Sequence, residues 1–166
     1  HLNEGHPALA VYELLGQVRA RQPGLSDDEA WQRVREQVVF TTHTPVAAGN
    51  ETYARDEVLG MLGRLADASG DREGFLARGR MNPAQPGQPS GMTALALRTS
   101  RQANAVSQRH GDVARGMWQP LFPGRAREGV PITHVTNGVH VPTWLHGPMR
   151  DLLDRHLAAG WRGHAD

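Results

Sequence analysis

The stretch Val38-Val39-Phe40-Thr41-Thr42-His43-Thr44-Pro45 decides how this chain is read. A short β-branched and aromatic run, closed by Pro45 and then Gly49, describes a buried strand that ends near His43. Such a strand set among helices belongs to an α/β layer. Ligands of open α/β sheets bind beyond the carboxyl ends of strands, so His43 can present its ring and its backbone carbonyl to a substrate. The plainer reading is a His that caps the strand through a local hydrogen bond.

On the N-terminal side, Pro7 suits a first helical position, and Val11, Leu14, Leu15 and Val18 keep helical spacing, which predicts a helix over about 7–21. Ser26 with Glu29 matches a capping box, and Trp31, Val34 and Val38 continue the apolar face of a second helix. Beyond the strand, Val58, Leu59, Leu62 and Leu65 predict a helix over 56–67, followed by a short one over 71–78. The segment 79–91, GRMNPAQPGQPSG, is a Pro/Gly/Gln-rich loop.

The spacing then predicts helices over 92–102 and 104–118, the second with Val106, His110, Val113 and Met117 on its apolar face. A loop over 120–131, a short strand over 132–135 and an Asn137-Gly138 turn come next. The last predicted helix, 148–158, buries Met149, Leu152, Leu153 and His156. Two strands among six or seven helices make too small a sheet to close a core, so the chain reads as a piece of a larger layer, cut from something longer.

Composition narrows the function. Eighteen basic residues balance 17 acidic ones for a formal charge of +1, leaving no broad patch for nucleic acid or an anionic membrane. No stretch approaches the roughly 20 apolar residues of a bilayer span. The sequence has no Cys, hence no thiolate nucleophile and no Cys-based zinc site, which fits the cytoplasm. All the basic residues are Arg: without a Lys there is no Schiff base and no P-loop.

Several polar residues stand out. Asn3, Glu4 and His6 crowd the start of the first helix, where a carboxylate is favoured; capping accounts for Asn3 or Glu4 but not for His6. Asn137 carries two amide donors and an acceptor suited to sugar hydroxyls, although Asn-Gly is also a common turn dipeptide. The nine His lack metal-ligand spacing, so no metal is expected. His110 and His156 read as satisfied core residues. No pair of carboxylates is placed for hydrolysis.

Four segments occur in an order that resembles the α-glucan (glycogen, maltodextrin or starch) phosphorylases, bacterial branch: HLNEGHPALAVYELL at 1–15, VVFTTHTPVAAGNETY at 38–53, GMTALALRTSRQANAVSQRHGDVARGMWQPLFP at 91–123 and VPITHVTNGVHVPTWL at 130–145. The resemblance implies a helix-rich α/β fragment of a doubly wound, two-domain glycosyltransferase of GT-B type, with a small partial sheet. Residues 1–166 would be one partial domain, the later portion of the N-terminal half, with the C-terminal cofactor domain absent.

It also implies reversible phosphorolysis of α-1,4-glucan ends, with maltooligosaccharide and phosphate as substrates and α-glucose 1-phosphate as product. The parent is expected to be a homo-oligomer using pyridoxal phosphate on a Lys that this chain lacks, so the chain alone is expected to be inactive; the alternative is a stand-alone carbohydrate-binding or regulatory remnant. By resemblance, His43 is catalytic, meeting the sugar's 6-hydroxyl with its ring and the developing positive charge with its carbonyl. Glu4, His6 and Asn137 bind sugar, and Trp144 neighbours the cofactor. Ala105 stands where relatives carry Gly, which implies strain if that position needs a positive φ, and Arg109 replaces an apolar packer.

Overall fold

The elements, in chain order, are β1 (Leu2–Asn3), α1 (Ala10–Arg21), α2 (Asp27–Gln37), β2 (Val39–Thr42), β3 (Thr52–Tyr53), α3 (Arg55–Ala68), α4 (Arg72–Ala77), β4 (Ser90–Gly91), α5 (Met92–Thr99), β5 (Gln102–Ala105), α6 (Gln108–Trp118), β6 (Ile132–His134), α7 (Val141–Trp144) and α8 (Gly147–His156). The computed structural model describes residues 1–163. They fall into two compact units, one from His1 to Thr136 and one beginning at Asn137.

The first unit is built on a parallel sheet in the order β1-β2-β5-β6, with β3 and β4 forming a separate antiparallel pair. Register places Leu2, Phe40, Ala103 and Ile132 side by side across the sheet. All four are buried, so this row is the floor of the core. Parallel strands need long crossovers: α1 and α2 lie between β1 and β2, and α6 between β5 and β6.

Local chemistry explains the helix ends. Ser26 accepts from the Glu29 N–H at 3.4 Å while Glu29 Oε2 accepts from the Ser26 N–H at 2.9 Å, closing the capping box of α2. Tyr12 of α1 stacks on Phe75 of α4 with centroids 4.0 Å apart and donates its hydroxyl to the Phe75 carbonyl at 2.7 Å. Burial pushes that phenol well above its ordinary range.

The loop joining α4 to β4 is tied down. The Gly91 N–H donates to the Gly79 carbonyl at 2.7 Å, and Arg98 donates to the carbonyls of Arg78, Arg80 and Met81. Burial lowers the pKa of the Arg98 guanidinium.

Several expectations need correction. The predicted helices over 92–102 and 104–118 are shorter, because Gln102–Ala105 is a strand in the middle of the sheet. Gln-Ala-Asn-Ala has no β-branched residue, and only its neighbours β2 and β6 make it a strand. Ala105 lies in this extended segment, fully buried; Glu4 is the one non-Gly residue with a positive φ among the described residues.

The buried face of α6 carries His110, Gly111, Ala114 and Trp118, while Val113 is exposed. Arg109 faces solvent. In the second unit no described residue of α8 is buried: Met149, Leu152 and His156 are exposed and Leu153 is half-buried. Asn137-Gly138 lies in coil without an assigned turn. No described helix is long and apolar enough to cross a membrane.

Candidate functional site

Because β1, β2 and β5 are parallel, the segments that follow them emerge at one edge of the sheet. The segment after β1 carries Glu4 and His6, that after β2 carries His43 and Thr44, and that after β5 leads through Ser107 into α6.

Glu4 joins the first two. Its backbone N–H donates to the Thr41 carbonyl at 2.8 Å, extending the ladder, and its φ of 71° turns the chain away there. A left-handed conformation is uncommon for a non-Gly residue and costs of order 1 kcal/mol, so the surroundings must hold it. They do: Oε2 accepts from the His43 N–H at 2.8 Å and from the Thr44 hydroxyl at 3.0 Å. Oε1 is buried with no partner among the described residues. A desolvated carboxylate oxygen without a donor is unfavourable, so this atom is the site's unused acceptor.

The next residue, Gly5, sits in close approach to α5. A Cβ there would lie 3.0 Å from Thr93 Oγ1 and 3.1 Å from the Thr93 backbone nitrogen. The contact seats the Glu4 turn on the start of α5.

His43 is exposed, one residue past β2. Its Nε2 lies 2.6 Å from Asn3 Oδ1, which orients the ring. Among the described residues no hydrogen bond falls on its carbonyl. Across the strands, Thr41 donates to Asn104 Oδ1 at 2.9 Å and pairs with His1 Nε2 at 2.8 Å.

His6 is exposed where two concavities meet. One, of about 70 Å³, is lined by Glu4, His6, Asn50, Glu51 and Thr93. The other, of about 220 Å³, is lined by His6, Leu9, Tyr53, Met61 and Met92 among others. Asn50 and Thr93 are bonded to each other at 3.0 Å.

The structure therefore brings together Glu4, His6 and His43 of the sequence-derived set. Asn137 and Trp144 belong to the second unit: Asn137 is exposed coil at its start, and Trp144 ends α7 with 78% of its surface exposed. The sequence reading missed Thr44, Asn50, Glu51 and Thr93, and it placed His110 correctly as a buried, satisfied His. Thr44 is adjacent to a residue already chosen; nothing local marks the other three missed residues, which reach the site only through folding.

What this arrangement offers is a small opening lined by Glu4 and His6, with the Glu4 carboxylate tied to the His43–Thr44 segment beside it. Such a lining suits a polyhydroxylated ligand.

Comparison with known proteins bears on which ligand. The maltodextrin phosphorylase of Thermococcus litoralis is 39% identical over 166 residues, the whole of this chain and 19% of that protein. The glycogen phosphorylase of Aquifex aeolicus is 35% identical over 162 residues, 95% of this chain and 22% of that protein. By sequence, the chain is a relative of the maltodextrin and glycogen phosphorylases.

The glycogen phosphorylase of Mycobacterium tuberculosis is likewise 36% identical over 170 aligned residues, covering 95% of this chain. The chain spans about a fifth of the length of these relatives. No protein-family model matches the sequence. Identity along the whole chain fits a helix-rich α/β segment with a small parallel sheet.

Proposed function

We propose that this chain is the portion of an α-1,4-glucan phosphorylase that holds the glucosyl unit at the reacting end, within a doubly wound glycosyltransferase of GT-B type. The observation that carries this is the Glu4–His43 pairing, on a segment aligned throughout with phosphorylases. In the reaction the bond from C1 of the terminal glucose to the glucan oxygen breaks, C1 bonds to a phosphate oxygen, and the glucan oxygen takes a proton. Positive charge builds at C1 in the transition state. The His43 carbonyl, free of other donors, supplies a fixed dipole toward that charge. Glu4 Oε1 accepts a sugar hydroxyl, giving the buried oxygen its missing donor. His6 lines the adjoining concavity; for Asn137 and Trp144, the roles of sugar-binding and cofactor-neighbouring residue rest on the resemblance alone.

Pyridoxal phosphate, the cofactor that the resemblance implies, does not fit the residues present: all the basic residues are Arg, so no amine can anchor it. The chain by itself is therefore expected to bind maltooligosaccharide without turning it over.

Calorimetric titration of the chain with maltoheptaose tests this. Saturable binding, lost in His43→Ala, supports the reading. No binding by the wild-type chain, or binding indifferent to His43→Ala, sinks it, and release of glucose 1-phosphate from maltoheptaose and phosphate would overturn the expected inactivity.

A further inference from the structure

We propose that His110 is a positioning residue that anchors the segment carrying the His43 carbonyl; the importance of that carbonyl rests on the function proposed above. His110 is buried, on the third residue of α6, and its backbone N–H is capped by Ser107 Oγ at 3.1 Å. Its ring bridges two strand-end segments. Nδ1 accepts from the Val106 N–H at 3.4 Å. The ring proton therefore sits on Nε2, which lies 3.2 Å from the Thr44 carbonyl and donates to it.

The consequence follows from peptide geometry. The His43 carbonyl belongs to the peptide joining His43 to Thr44. On one side, the N–H of His43 is held by Glu4 Oε2 at 2.8 Å; on the other, the Thr44 carbonyl is held by His110 at 3.2 Å. Peptide units are planar, so fixing the two flanking planes fixes the Cα positions of His43 and Thr44 and with them the place of the peptide between, which keeps only a rotation about the line joining those two atoms. A carbonyl that meets developing charge must be held in place before the charge appears. Glu4 supplies one anchor from β1, and His110 supplies the other from the far side of β2. The ring itself touches no part of the sugar site; it acts through Thr44.

Two variants separate this role from simple core filling. His110→Phe keeps a ring of similar size and removes both bonds, whereas His110→Gln retains a donor able to reach Thr44. Amide hydrogen exchange over 41–46 is expected to rise about tenfold in His110→Phe, the size of one lost hydrogen bond, and to return most of the way in His110→Gln. Maltoheptaose affinity should move in parallel, by a similar factor.

Long-range ¹⁵N–¹H correlation on the wild-type ring should place the proton on Nε2, a readout that needs neither variant to fold. A proton on Nδ1, exchange over 41–46 unchanged in His110→Phe, or a rise spread evenly over the whole first unit would each overturn the proposal. If the wild-type chain binds no maltoheptaose, the functional reading fails while the ring shifts and the exchange pattern still decide the positioning role.

Discussion

Two irregular segments of the first unit are pinned in opposite ways. The loop between α4 and β4 is held by a cation, Arg98, donating to the carbonyls of Arg78, Arg80 and Met81. The segment after β2 is held by an anion, Glu4, accepting from the His43 N–H and the Thr44 hydroxyl. Arg98 spends its contacts on closing a loop. Among the described residues, Glu4 keeps one buried oxygen without a partner, and the His43 carbonyl takes no donor. The difference separates a segment whose carbonyls are tied down from one that leaves acceptors open.

The largest effect is expected from Arg98→Met, which deprives three backbone carbonyls of charged donors. Urea unfolding should show a loss of about 3 kcal/mol, with maltoheptaose affinity of the folded protein unchanged. A fall in affinity at constant stability would erase the distinction between the two segments. Next comes Gly5→Ala, whose Cβ would press on Thr93. It should cost about 2 kcal/mol in the same measurement and also weaken sugar binding, because the Glu4 turn sits directly on that contact.

Glu4→Gln sharpens the comparison from the other side. It retains an oxygen for the His43 N–H but replaces the second acceptor with a donor. Stability should change by less than about 1 kcal/mol while calorimetry shows roughly tenfold weaker maltoheptaose binding. The smallest effect concerns the loop's other charged tie. Hydrogen bonds from Arg80 first and Arg55 second hold the Glu73 carboxyl below its ordinary 4.5. A folded-state value below the unfolded one gives stability that is present above pH 4.5 and lost as pH falls through the folded value. Glu73→Gln should flatten that acid limb of the stability–pH curve, followed by circular dichroism.

Much of this was legible from residue types. The capping box at Ser26 and Glu29, the strand ending before His43 and the helical faces of α1 and α3 are local signals, written in spacing and in turn chemistry. The site residues Glu4, His6 and His43 came partly from their placement after a strand or before a helix and partly from resemblance. Strand β5 was not legible, since Gln-Ala-Asn-Ala prefers no extended state and is recruited by partners far off in sequence. The apolar stripe of α8 misled for a related reason: periodicity marks a face, but burial depends on what covers it.

By itself, then, the sequence determined where helices start, where the chain must turn and which chemistry is missing, because capping, Pro and Gly geometry and the lack of Lys and Cys are properties of a residue and its near neighbours. Only the tertiary structure decided that Glu4 reaches across to His43, that Gly5 lies close against Thr93, and that the ring of His110 meets the Thr44 carbonyl. These are contacts between residues 39, 88 and 66 positions apart, and nothing short of the parallel pairing of β1, β2 and β5 brings them within hydrogen-bonding or van der Waals distance.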